Sequence, residues 1–307
     1  MPLISRLASS SAFAYGFGNI GFLADIFDWG GERAVHWSGY VTSAVNVIDY
    51  NTIASAGNAI DFGDMTITLY MPSACSNSVR GIASGGHTGA TQPASIDYIT
   101  IATTGNASDF GDTSHGGSFK MSCSDGSRGV ITAGYQNTNV IDYVTIATTS
   151  NTVDFGDLYA ISYAGAGLAD ATRGVFAGGS VGNVIQYITI QTTGNSLDFG
   201  DLLTNKTYTS GCSDTTRGLI SGAYHSPQNV IEYITIQTTG NSVDFGDLTT
   251  GRHSVGSSSN GIRALLAGGG TSPTNRIDYV TVQTTGNGTD FGDLTVARGW
   301  LSSCSGA

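Results

Sequence analysis

Apolar and polar positions alternate along most of this chain, in short bursts separated by glycine-rich turns. The run Asn183-Val-Ile-Gln-Tyr-Ile-Thr-Ile190 places β-branched and aromatic residues at a spacing of two, as a strand with two unlike faces requires. A small-apolar run ending in a glycine pair, Arg173 to Gly179, precedes it. The turn Thr192-Thr-Gly-Asn195 follows and supplies a glycine where a hairpin needs positive φ. A third run, Leu197-Asp-Phe-Gly-Asp-Leu202, and a fourth over Lys206 to Ser213 complete a group of four short strands. No apolar period near 3.6 is sustained anywhere, so helices are not expected.

The group recurs. Asp-Phe-Gly-Asp begins at Asp61, Asp109, Asp154, Asp198, Asp244 and Asp290, and a tyrosine stands twelve residues before each phenylalanine, from Tyr50 to Tyr279. From each of the first five phenylalanines the next repeat arginine (Arg80, Arg128, Arg173, Arg217, Arg263) lies 18 residues on, and Arg33 opens the series. Only the arginine-to-tyrosine interval changes, between 14 and 18 residues, which confines all length variation to one loop per repeat. Six copies of about 46 residues predict an all-β, six-bladed β-propeller with four-stranded antiparallel blades.

The order arginine, Ser-rich strand, glycine pair, tyrosine and an aromatic segment with Asp and Gly resembles the Kelch repeat and the galactose-oxidase-like propellers, over residues 33–307. The wording Ile-Asp-Tyr-Ile-Thr-Ile-Ala-Thr-Thr-Gly-Asn at 96–106, followed by Asp-Phe-Gly-Asp at 109–112, resembles virion structural proteins of tailed phages of marine bacteria. The opening, Met1 to Ser11, is similar to the starts of such proteins. In Kelch-like blades the strand before the glycine-pair strand is innermost, and the first repeat, opening at Arg33, has none of its own. The segment 298–307 matches it: Cys304 follows Phe291 by 13 residues, as Cys75 follows Phe62 and Cys212 follows Phe199. The C-terminal strand is therefore expected to complete the first blade and to remove the edge an open ring would expose.

Residues 1–32 stand outside the repeat. Phe13, Tyr15, Phe17, Phe22, Phe27 and Trp29 are interspersed there with glycines, an extended adhesive composition. The expectation is an anchoring arm that docks on another virion subunit or a neighbouring copy; the alternative is an arm packed across its own propeller. Arg6 is the only basic residue of this region, and Gly16, Gly18 and Gly21 interrupt its apolar run, which disfavours a secretory signal.

Charge narrows the partners. The net charge of −11, with twelve Lys and Arg of which only Lys120 and Lys206 are lysines, argues against nucleic acid, whose phosphates need neutralising. No stretch of 18 or more apolar residues occurs, so no helix is expected to insert in a membrane.

Candidate chemistry is sparse. Cys75, Cys123, Cys212 and Cys304 share one register of the inner strand, with Leu168 and Ser258 in the other two blades. Equivalent positions of neighbouring blades are too far apart for a disulfide, so small packed residues are expected. The paired aspartates of Asp-Phe-Gly-Asp admit a calcium reading, but two carboxylates are too few alone. A glycosidase pair needs one copy where six occur. The structural reading has the phenylalanine filling the core between blades, the glycine permitting a bend, and the aspartates capping turns or pairing with the repeat arginine. The five histidines do not converge, and no motif carries over onto the copper site of galactose-oxidase-like enzymes. Catalytic, cofactor-binding and metal-binding residues are therefore not expected, and no cofactor is expected. Sequons at Asn106, Asn205 and Asn287 have meaning only in a secretory pathway.

A binding face does follow from topology. The variable loop and the loop to the next inner strand open on one face, and the Thr-Thr-Gly-Asn turn lies on the other. Seven residues after each repeat arginine stand Tyr40, His87, Tyr135, Ser180, Tyr224 and Gly270, with His225 beside Tyr224. Their rings either cover the blade tops or serve to stack on sugars and anchor an interface. The resemblance implies a structural protein located in the virion, displaying the propeller and held by its arm. Its partners would be other virion proteins, copies of itself and a host-surface glycan. A lectin-like propeller is the alternative, and a polysaccharide-acting enzyme the third reading.

Overall fold

A computed structural model describes residues 31–136, 138–225, 229–270 and 272–306; the aromatic arm residues Phe13, Tyr15, Phe17, Phe22, Phe27 and Trp29 lie outside them. The first blade contains β1 (Arg33–Tyr40), β2 (Ala44–Thr52) and β3 (Ile60–Leu69). The second contains β4 (Ser73–Ser76), β5 (Arg80–Ser84), β6 (Ser95–Thr100) and β7 (Ser108–Asp112). The third runs from β8 (Ser122–Ser124) through β9 (Arg128–Thr132) and β10 (Val140–Thr145) to β11 (Val153–Asp157). The fourth comprises β12 (Ala166–Ala169), β13 (Arg173–Ala177), β14 (Val184–Thr189) and β15 (Leu197–Asp201). The fifth comprises β16 (Ser210–Ser213), β17 (Arg217–Ser221), β18 (Val230–Thr235) and β19 (Val243–Asp247). The sixth comprises β20 (Gly256–Ser259), β21 (Arg263–Ala267), β22 (Arg276–Thr281) and β23 (Thr289–Asp293). A last strand, β24 (Ser302–Gly306), returns to the first blade and pairs antiparallel with β1 from Arg33↔Gly306 to Trp37↔Ser302. The inner strands β4, β8, β12, β16, β20 and β24 touch in cyclic order, so the six-bladed ring is closed by the C-terminal strand.

The hydrophobic cores lie between blades. Phe199 and Leu202 of the fourth blade, for example, pack with Ile220, Ile234 and Ile236 of the fifth. The Asp-Phe-Gly-Asp strand reaches that core through a β-bulge: Ile185 pairs with Gly200 and Gln186 with Asp198, which leaves Phe199 unpaired and turned inward. The bulge glycine holds φ between +142° and +148° in all six copies. It is also where the next blade's turn makes contact. In the joint between the third and fourth blades, Gly194 N–H donates to Phe155 O (2.8 Å) and Asp157 N–H to Asn195 Oδ1 (3.0 Å). A Cβ on Gly156 would stand 2.5 Å from Gly194 O. Residues 192–195 are thus a clamp on the preceding blade as well as a hairpin turn.

The repeat arginine pairs with neither aspartate of the motif. Its guanidinium lies 4.2–4.8 Å over the tyrosine of its own blade and donates to a carbonyl of the next, as Arg217 does over Tyr233 and to Val282 O. Each arginine therefore ties two blades.

The fourth strand of each repeat is shorter than the sequence run. Tyr208 has φ +59°, and β16 begins only at Ser210. Met71, Phe119, Ala164, Ser254 and Trp300 share this left-handed conformation, each nine residues after its motif phenylalanine. Their backbones link around the axis. Met71 N–H donates to Trp300 O (2.7 Å), Phe119 to Met71 O (3.1 Å), Ala164 to Phe119 O (2.9 Å), Tyr208 to Ala164 O (2.6 Å) and Ser254 to Tyr208 O (2.8 Å). These bonds form a collar around one mouth of the axial channel.

Candidate functional site: an aromatic rim at the channel mouth

Within each antiparallel meander the variable loop and the exit loop open on the same face, and the collar lies on that face. Tyr40, half-buried at the end of β1, packs its ring on Tyr70 (5.2 Å between centroids) and Trp300 (5.4 Å). His87 joins this group by ring contact with Tyr70 (5.2 Å) and by a reciprocal backbone bridge to it. Tyr135 packs on Tyr163 (4.8 Å). Tyr224 packs on Tyr208 (5.5 Å), His225 (5.2 Å) and His253 (5.1 Å), and Phe119 reaches across Ala164 to Tyr208 (4.9 Å). Tyr208 N–H donates to the carbonyl of Ala164, next to Tyr163, which brings the two tyrosine pairs into one sector, and burial and the neighbouring Tyr163, Tyr224 and Tyr135 hydroxyls raise the Tyr208 pKa. Tyr135 and Tyr224 remain 54% and 46% exposed.

The five sequence candidates, Tyr40, His87, Tyr135, Tyr224 and His225, thus fall into two sectors of one rim. Each sector is bridged by residues the sequence reading did not single out: Tyr70 and Trp300 in one, Tyr163, Tyr208, Phe119 and His253 in the other. Their shared signal is position, eight or nine residues after the motif phenylalanine. Exposed aromatic faces with hydroxyl and imidazole edges suit the flat apolar face and hydroxyl rim of a saccharide.

Below the collar the channel is walled by Ala74, Ser122, Gly167, Gly211, Ser257 and Ser303, side chains small enough for six inner strands to converge. The register beside them carries the cysteines, all buried and free. Burial pushes the Cys212 thiol up to about 12 and the Cys304 thiol to about 11, so neither ionises near neutrality. The sulfurs of Cys75, Cys123 and Cys304 fill space left by glycine in the next blade: a Cβ on Gly174 would lie 2.6 Å from Cys123 Sγ.

A second set of polar residues sits inside the joints between blades. Lys206–Glu232 (2.9 Å), Arg252–Asp278 (3.0 Å) and Arg298–Asp49 (2.7 Å) are buried ion pairs, each joining an exit loop to the third strand of the next blade. At another joint Lys120 donates to Thr113 Oγ1 and His115 O, with the Asp142 carboxylate acting on its charge. Where the exit loop carries Ser162 instead of a cation, the acid's position holds neutral Gln186, which bonds the backbone of Ala160 and the hydroxyl of Ser196. Each acid also accepts a backbone N–H from the preceding blade, as Asp278 does from Thr249. His36, buried beside Arg298, bonds Ser303 and Asn51; burial and the Arg298 charge lower its pKa to about 4. Among the described residues, no three His, Cys, Asp or Glu side chains are grouped as metal ligands.

No protein-family model matches the chain, and no curated protein matches it in sequence.

Proposed function

We propose that this chain is a virion structural protein of a tailed phage. In this reading it displays a rigid Kelch-like propeller, is held through residues 1–32, and touches a host-surface glycan with its aromatic rim. One geometric observation carries the reading. The propeller begins with β1 at Arg33, which pairs with Thr52 beside the turn of residues 53–59, on the face opposite the rim. A propeller tethered from that side presents Tyr135, Tyr208 and Tyr224 outward. The resemblance of residues 96–112 to virion proteins supports the setting, and the exposed rings support the contact. A lectin-like propeller acting away from any particle is favoured by the same rim.

The two readings part on assembly. Particles assembled with a chain lacking residues 1–28 should lose the propeller by antibody labelling, while the purified truncated chain keeps its fold. Undiminished labelling would reject the anchoring role. Separately, Tyr135→Ala and Tyr224→Ala should weaken binding on a glycan array; unchanged binding rejects the rim as the contact.

A further inference from the structure

The twelve cations of this acidic chain can be placed almost completely. Arg6 lies outside the described residues. Six arginines stack on the repeat tyrosines, and Lys120, Lys206, Arg252 and Arg298 are buried in the joints. That leaves Arg276. Its position, the first residue of β22, is Val47, Ser95, Val140, Val184 or Val230 in the other blades, so the fold does not demand a charge there.

Arg276 borders a cavity of about 490 Å³ that is also walled by Thr250, Arg252, His253, Ser272 and Thr274. One of its guanidinium donors goes to Thr249 Oγ1 (3.1 Å). That hydroxyl donates in turn to Asp278, whose charge already pairs with Arg252. Among the described residues no carboxylate is paired with Arg276. The residues lining the recess thus include two arginines and no carboxylate, with Asp278 paired to Arg252 and Asp293 opposite Arg276 on the neighbouring strand, in a chain of net −11. Its His253 wall is shared with the rim: the same imidazole lies 5.8 Å from the Tyr208 ring and 5.1 Å from the Tyr224 ring.

We infer that this recess receives the anionic group, carboxylate or sulfate, of an acidic saccharide whose ring stacks on the Tyr208–Tyr224–His253 sector. The guanidinium fork matches two anionic oxygens, and the hydroxyls of Thr250, Ser272 and Thr274 offer further donors. A neutral sugar would use the rings alone. At long range the chain repels anions, so capture depends on the local fork. This inference rests on the glycan contact proposed above and names its ligand class.

The test is calorimetric titration of the full chain with matched neutral, uronate-containing and sulfated oligosaccharides. Arg276→Val, which installs the residue of four other blades, should fold and weaken acidic oligosaccharides by about tenfold to a hundredfold while leaving neutral ones unchanged. Arg276→Lys should keep part of the preference, and Tyr208→Ala should weaken both kinds. The tighter of the uronate and sulfate arms identifies the anion. If Arg276→Val leaves acidic and neutral binding alike unchanged, the inference is overturned and the glycan contact stands. If the wild-type chain binds none of the oligosaccharides, the glycan contact falls and the inference with it.

Discussion

Gly292 holds φ +148°, and a Cβ there would stand 2.5 Å from the carbonyl of Gly57, whereas a Cβ on Gly57 would meet nothing within 4 Å. Both glycines belong to one clamp, yet only one needs to be glycine. Gly292→Ala should destabilise the chain by about 3 kcal/mol or more, and Gly57→Ala by no more than about 0.5 kcal/mol, both read from urea unfolding. His36 provides a second residue-scale expectation. Folded, it stays neutral down to about pH 4, whereas in the unfolded chain it gains its proton near its ordinary 6.5. Between those values the unfolded chain binds more protons, so stability falls as pH drops from about 6.5 toward 4, at up to about 1.4 kcal/mol per pH unit. His253 shifts in the same direction through burial, while burial raises the Asp97 pKa, an opposite contribution confined to the carboxylate range. His36→Gln should remove most of the slope between pH 5 and 6.5 in urea titrations. An unchanged slope would place the proton uptake elsewhere.

The joint between blades is the element at which cation and acid belong together. Removing one partner leaves a buried charge without compensation, a loss of about 3–5 kcal/mol. Arg252→Ser should show it, and adding Asp278→Gln should recover most of it, because Ser162 and Gln186 hold the corresponding positions of another joint, where Gln186 bonds Ala160 and Ser196 without any charge. Unfolding of the two variants side by side checks the coupling. The blades themselves were legible in the sequence because their alternation and their two invariant intervals repeat six times. The joints were not. An acid in Ile-Asp-Tyr reads as the polar face of a strand, and its cation stands seven residues after the phenylalanine at Arg298 but ten after it at Lys120. The rim was half legible. The residues after the glycine pair pointed to the face on which the collar lies, but the collar positions are Met, Phe, Ala, Tyr, Ser and Trp, and none of these types announces a left-handed backbone. There the run of five backbone hydrogen bonds from Ser254 round to Trp300, rather than residue preference, sets the conformation and turns Tyr208 and Trp300 into the rim.

For the molecule as a whole, the shared first blade governs cooperativity. Without β24, β1 presents unpaired backbone, and the inner strands on either side, β20 and β4, lose a packing neighbour. Deleting residues 298–307 should replace one sharp melting transition with a broad, aggregation-prone one, and the missing segment supplied as a peptide should restore it. A truncated chain with the wild-type calorimetric transition would refute this. The same blade has a mechanical meaning. β1 is held on one side by β2 and on the other by β24, with its first residues on the turn face. A pull on the chain ahead of Gly31 runs along β1, perpendicular to the ladder hydrogen bonds, and loads both ladders in shear. The bonds share that tension instead of peeling apart one at a time. A propeller gripped at its rim and tugged from beneath would hold as a fastener does, and its first strand would be among the last to slip.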